Sequence, residues 1–294
     1  MENQESSSSS SQQHWIIEQE ILREKLITED NFTWKLLSTQ DKSEGSKEEE
    51  DEWLKYIGGV DISFSNDDSS MACGTLVVLD FNTLQVVYED FSLVTLHVPY
   101  VPGFLAFREA PVLVEILDKM KRNGNPFYPQ LLMVDGNGIL HPRGKCFYLC
   151  LVGKRSKPLT CAGFGLACHI GVVANLPTIG IGKNLHHLDD LNHTKVRELL
   201  GAKENSSKDF ITLVGSSKRI WGAAMRSTQA SIKPIYISSG HRISLQTAVK
   251  IVHMTCKYRV PEPVRQVKLF AILKYADIRS RDYIRKLEMN AKTK

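Results

Sequence analysis

Three carboxylates sit where a folding chain gains little from a charge. Asp61 interrupts the apolar run Tyr56–Phe64, and Glu109 falls in the N-terminal half of a helical pattern over 104–121. Asp135 ends the apolar run Leu131–Val134. A carboxylate at the carboxyl end of a buried strand lies at the rim of a sheet, where α/β folds place their ligands. Two desolvated carboxylates that face each other are costly unless one keeps a proton or a cation lies between them. Oxygen donors with open positions suit Mg²⁺, or Mn²⁺ in its place. Such an ion activates water and offsets the charge that builds up on a phosphate. The plainer alternative for Asp135 is a turn residue in Asp135-Gly-Asn-Gly138. Lys183, at the end of another apolar run, and His241, in a glycine-containing turn, could serve the same site or be surface and capping groups. Pro99-Tyr-Val-Pro102 sets an aromatic between two stiff residues. It is either a rigid loop with Tyr100 packed on the core or an exposed wedge that stacks against a base.

These groups need a scaffold, and the hydrophobic pattern supplies one. Residues 56–64, 71–80 and 85–96 read as strands joined by short Asn- and Asp-containing links, hence antiparallel hairpins. A helix over 104–121 follows, then the strand 131–135, an apolar helix over 164–176 and a strand over 177–183. That order predicts an α/β fold with a mixed five-stranded sheet flanked by helices. Its first and fourth strands are neighbours, so Asp61 faces Asp135. Residues 211–214, 220–225 and 234–238 read as short strands, Ser244 as the N-cap of a helix to about 257, and 277–292 as a basic helix.

The six-serine run Ser6–Ser11 predicts a disordered tail over 1–13, followed by a helix and an acidic linker to 52 and a main domain over 53–294. Charge is unevenly spread. Residues 1–52 carry 14 acidic against 5 basic side chains, and the remainder 32 basic against 19 acidic. A basic globular part suits a polyanionic partner. No stretch reads as a secretory leader or a membrane span, and the six cysteines read as reduced thiols, so the expected location is cytoplasmic, nuclear or both, including the nucleolus.

Taken together, six stretches resemble the endonuclease V family. They are Gly58-Gly-Val-Asp61-Ile-Ser-Phe64, Pro99-Tyr-Val-Pro-Gly-Phe-Leu-Ala-Phe-Arg-Glu109, Val134-Asp-Gly-Asn-Gly-Ile-Leu-His-Pro-Arg-Gly144, Phe164-Gly-Leu-Ala-Cys-His-Ile-Gly171, Gly180-Ile-Gly-Lys183 and Tyr236-Ile-Ser-Ser-Gly-His-Arg-Ile-Ser244. The resemblance implies an RNase H-like fold and a monomeric, Mg²⁺-dependent nuclease of inosine-containing single-stranded RNA or DNA. Its roles would be DNA repair or turnover of edited RNA. It would cut the second phosphodiester bond 3′ to the inosine and leave a 5′-phosphate. The resemblance assigns the metal to Asp61, Glu109 and Asp135, with Lys183 and His241 assisting catalysis. Pro99, Tyr100, Val101 and Pro102 would form the wedge, with Gly103, Gly136 and His141 also binding substrate.

Two segments depart from the family pattern. Nineteen residues, Lys145–Gly163, stand between Gly144 and Phe164, which the family joins directly. They mark an isoform whose insertion lies next to the Asp135 strand end, so an inosine-binding protein without activity is the alternative reading. Further on, the family passes from Pro-Glu-Pro-Val-Arg-Gln266 straight to Ala-Asp, whereas here Val267–Tyr275 intervenes. That segment is distant in sequence from the acids and is expected to have little catalytic effect.

Overall fold

The computed structural model describes residues 2–36, 52–65, 68, 70–101, 103–142, 163–201, 210–228 and 231–274. Most of the 145–163 insertion, the acidic stretch 37–50, Pro102 and the helix expected over 277–292 lie outside them.

The five strands of the expected sheet form as β1 (Tyr56–Phe64), β2 (Met71–Asp80), β3 (Val86–Thr95), β4 (Leu131–Asp135) and β5 (Thr178–Gly182). Hairpins join β1 to β2 and β2 to β3, while β1–β4 and β4–β5 are parallel. The sheet does not stop at five. The short strands β6 (Phe210–Val214), β7 (Ile220–Met225) and β8 (Ile235–His241) extend it through antiparallel pairs. The order is β3-β2-β1-β4-β5-β8-β7-β6. The reason is the unpaired side of β5: a buried parallel strand cannot leave its N–H and C=O groups without partners, and β8 supplies them.

Side-chain alternation sorts the strands into two faces. Ile57, Leu131, Met133, Ile179 and Ile181 pack on one side with α5 (Leu245–Thr255) and α6 (262–274). Val60, Leu132 and Val134 pack on the other with α2 (Leu105–Arg122) and α3 (Leu166–Ala174). The predicted Ser244 cap is present, its hydroxyl accepting from the Thr247 N–H at 3.2 Å. The helix α3 ends at Asn175, whose left-handed backbone (φ 52°) is a common helix stop. Beside β6, α4 (His193–Gly201) covers the far end of the sheet through Val196 and Leu200.

At the N-terminus, α1 runs Glu2–Glu24, so the backbone is helical where the serine run predicts disorder. Serine costs a helix only a few tenths of a kcal/mol per residue relative to alanine, about 0.5. The anchor lies further on, where Trp15 stacks on Phe107 and Gln19 donates to the Phe164 carbonyl oxygen at 3.3 Å.

Candidate active site

The register brings two of the three acids together. Val60 pairs with Val134 across the parallel β1–β4 ladder, so Asp61 and Asp135 occupy the next row at the carboxyl edge. Alternation places both on the face of Ile57, Leu131 and Met133, the face that α6 covers. Lys183 continues the same alternation beyond Ile179 and Ile181, and its ammonium donates to Asp135 Oδ2 at 2.8 Å. Glu109 comes from the opposite face. It lies on the buried stripe of α2 between Ala106 and Leu113, with 7% of its surface exposed. Burial, then the charge of Asp61, pushes Glu109 up to about 7. Burial, then Asp135, pushes Asp61 up to about 6 against the pull of Lys268.

Lys268 was not legible as a site residue. Its ammonium donates to Asp135 Oδ2 at 2.6 Å and lies 3.3 Å from Asp61 Oδ2. It stands in the 267–275 segment for which the sequence predicts little effect, yet it is the group that joins the two acids. Its stem leaves α6 one residue past Val267, on the helix stripe of Val264, Val267 and Ala271 that enters the core. A lysine bordering the buried stripe of an amphipathic helix was the available signal. Burial works against its charge, but the hydrogen bond to Asp135 and the attraction of Asp61 hold its pKa above the usual lysine range.

The donor set is chemically suited to a hard divalent cation, and a cation does lie on it, in the form of this ammonium. Among the described residues, no three His, Cys, Asp or Glu side chains are gathered closely enough to hold an ion by themselves. Asp61 and Asp135 are spanned by Lys268, and Glu109 reaches them from the other face through its charge.

Beside Asp135 opens a cavity of about 130 Å³, lined by Gly103, Glu109, Gly136, Asn137, His141 and His186 among others. Three of the expected substrate-binding residues, Gly103, Gly136 and His141, therefore share a wall with two of the acids. Among the described residues, Asn137 Oδ1 and His141 Nδ1 find no hydrogen-bond partner in this buried place. Burial and the facing His186 ring, 5.9 Å away, push His141 down to about 4, which keeps it neutral. The Asp135–Gly138 loop can pass this close to β5 because Gly180 lacks a side chain: a Cβ there would lie 2.2 Å from the Gly138 nitrogen. Pro99 and Tyr100 are exposed, Tyr100 at 64%, and Val101 is half-buried on the way to Gly103. Tyr100 thus faces solvent and is not packed on the core.

His241 is not part of this cluster. β8 runs antiparallel to β5, pairing His241 with Thr178, whereas Asp135 pairs with Ile181. Three rows separate them, roughly 10 Å along the strands at about 3.3 Å per residue. His241 is 3% exposed, and its Nδ1 accepts from the Ile27 N–H at 3.3 Å. It ties the segment after α1 to the sheet, and burial followed by Arg242 holds it down at about 4.

A sheet of this order, with Asp135 ending one parallel strand, Asp61 in the same row of its neighbour and a cavity beside them, is that of an RNase H-like protein of the nuclease class. A family model described as Endonuclease V matches residues 37–147 and 160–269. Endonuclease V of Mus musculus is 40% identical over 272 residues, covering 92% of this chain and 69% of the relative. The Homo sapiens protein is 42% identical over 233 residues, covering 79% and 73%. The crystal structure of the catalytic domain of human Endonuclease V aligns with a TM-score of 0.74 at 35% identity, covering 94% of this chain and 97% of that one. Endonuclease V of Ciona intestinalis, in complex with a 23mer DNA containing an inosine followed by a ribo-adenosine, aligns at 0.73 and 28% identity, covering 92% and 98%. The chain belongs to the Endonuclease V family, whose members are endonucleases. The family match omits 148–159 within the insertion and ends at Leu269, just inside the second departure.

Proposed function

We propose that this protein is a Mg²⁺-dependent endonuclease that cuts single-stranded RNA or DNA at the second phosphodiester bond 3′ to inosine, leaving a 5′-phosphate. One observation carries the reading: Asp61, Asp135 and Lys183 share one sheet edge, with Glu109 facing them from α2, beside a cavity walled by Gly103, Gly136 and His141. The Ciona relative's inosine-containing DNA supports the choice of substrate. Asp61 and Asp135, with Glu109 behind them, would hold the ion. The ion, when bound, offsets phosphate charge and makes water more acidic. Lys183 keeps a positive charge next to Asp135 and can donate to a phosphate oxygen. His141 and Asn137, with buried polar atoms left unpaired, and the Gly103 and Gly136 backbones offer hydrogen bonds to the edge of an extruded base. Tyr100 stacks where that base came from.

The test is cleavage of inosine-containing single strands of both sugars with Mg²⁺, against strands carrying guanosine instead. The full chain should cut next to inosine, and Asp61→Ala and Asp135→Ala should lose at least about 100-fold in rate, the scale of losing a charge-stabilising group. Binding of the strand in Ca²⁺ should persist. Undiminished cutting by both variants refutes the assignment of the site. A second reading, an inosine-binding protein without activity, is favoured by the Lys268 ammonium lying across Asp61 and Asp135. Inosine-selective gel shifts without product would support it, and a chain lacking Lys145–Gly163 would show whether the insertion is responsible.

A further inference from the structure

Two adjacent acids, Asp61 buried and Asp135 half-buried, need a counter-charge, and in this chain one is built in. Lys268 reaches Asp135 Oδ2 at 2.6 Å and Asp61 Oδ2 at 3.3 Å, so one ammonium serves both carboxylates. It is delivered by a firmly seated helix. Val264 and Val267 of α6 are fully buried, and the Pro263 carbonyl lies against the Gly59 backbone in β1, two residues before Asp61. The ammonium itself hangs on a flexible four-carbon stem, and its side chain is 40% exposed. It can therefore leave the acids without α6 moving.

The sequence adds an independent observation. Where the family pattern passes from Gln266 straight to Ala-Asp, this chain carries the intervening segment Val267–Tyr275, which moves its own Ala276-Asp277 further on and sets a base, Lys268, against the two carboxylates. The family match ends one residue later.

We propose that Lys268 is an internal cation that competes with the divalent ion for Asp61 and Asp135. The proposal rests on the reading of these acids as the ion's ligands. An incoming ion must displace the ammonium or tolerate a positive charge within a few ångströms, and either weakens its binding. The 267–275 segment thereby sets how much metal the site needs.

The test measures Mn²⁺ binding to the full chain by electron paramagnetic resonance of the free ion, without nucleic acid. Lys268→Met keeps the stem and removes the charge, Lys268→Arg keeps the charge, and Lys268→Asp reverses it. The Met variant should bind Mn²⁺ at least about tenfold more tightly than wild type, equivalent to about 1.4 kcal/mol. The Asp variant should bind more tightly still, and the Arg variant no more tightly than wild type. Without metal the Met variant should melt lower than wild type, and Mn²⁺ should raise its melting temperature more. Equal or weaker binding by a folded Met variant overturns the proposal. If the Met variant does not fold, an Asp variant no tighter than Arg overturns it. Mn²⁺ binding that survives Asp135→Ala unchanged places the ion elsewhere and also overturns it. Since no substrate is present, the proposal can stand while inosine cleavage fails. Conversely, inosine cleavage alongside an unchanged Mn²⁺ affinity in Lys268→Met would leave the nuclease reading intact and remove this one.

Discussion

Replacing Gly59 with alanine tests how the last helix is seated against the catalytic strand. A Cβ at Gly59 would lie 2.0 Å from the Pro263 carbonyl oxygen and 2.5 Å from its carbon. Both are backbone atoms, so no side-chain rotation relieves the clash. β1 cannot retreat, because Gly59 is held between Val77 of β2 and Met133 of β4. The helix must withdraw instead. Ordinary contact begins near 3.4 Å, so the shift is roughly 1.4 Å. That loosens Val264, Val267 and Phe270 from the core and draws Lys268 back from Asp61 and Asp135. Overpacking of this kind costs about 1–3 kcal/mol. For a domain of this size each kcal/mol lowers the melting temperature by about 2–4 °C. The variant should therefore melt about 2–12 °C below wild type when unfolding is followed by circular dichroism. Gly58→Ala is the control. Its Cβ would meet only side-chain atoms, with the flexible Leu132 Cδ2 nearest at 2.6 Å, so its loss should be less than half as large. A Gly59→Ala chain that melts with wild type, or below which Gly58→Ala falls, refutes the account of how α6 docks.

Other outcomes can be checked more quickly. Tyr100→Ala removes an exposed side chain and should change stability by no more than about 0.5 kcal/mol, while cleavage of inosine-containing strands falls roughly tenfold. An unaltered cleavage rate would remove Tyr100 from substrate contact. Burial holds His169 and His241 near 4 in the folded chain, against about 6.5 when unfolded, so below pH 6.5 the unfolded chain takes up protons that the folded chain does not. The stability they contribute is whole above pH 6.5 and is lost as the pH falls towards 4, by on the order of 3 kcal/mol for one such group. Asp61 and Glu109 act in the opposite sense, because their raised values favour the folded state as they gain protons. The informative measurement is therefore a difference. Between pH 7 and pH 5, His241→Asn should lose less melting temperature than wild type, and equal slopes would argue against a buried neutral imidazole.

The amino-acid pattern by itself determined the elements and the acids. Apolar runs bounded by turn residues marked β1 to β5, one-face helical spacing marked α2, a longer apolar run marked α3, and Ser244 announced its own helix, because these signals are local. Chain order alone predicted the β1–β4 pairing that sets Asp61 beside Asp135, since a strand returning through a helix lies parallel to its neighbour. Tertiary structure decided what local signals cannot carry. Strand periodicity says which residues share a face but not which way a strand runs. The antiparallel entry of β8 put His241 at the edge away from Asp135, despite its place in a shared motif. The same blindness hid the joining of β6, β7 and β8 to one sheet. Lys268 shows the limit most plainly. Its helix spacing placed it near a buried stripe, but only the docking of α6 on Gly59 carried its charge to two acids far away in the chain. Electrostatic contact depends on distance in space, and a linear sequence records that distance only after the helices have been packed.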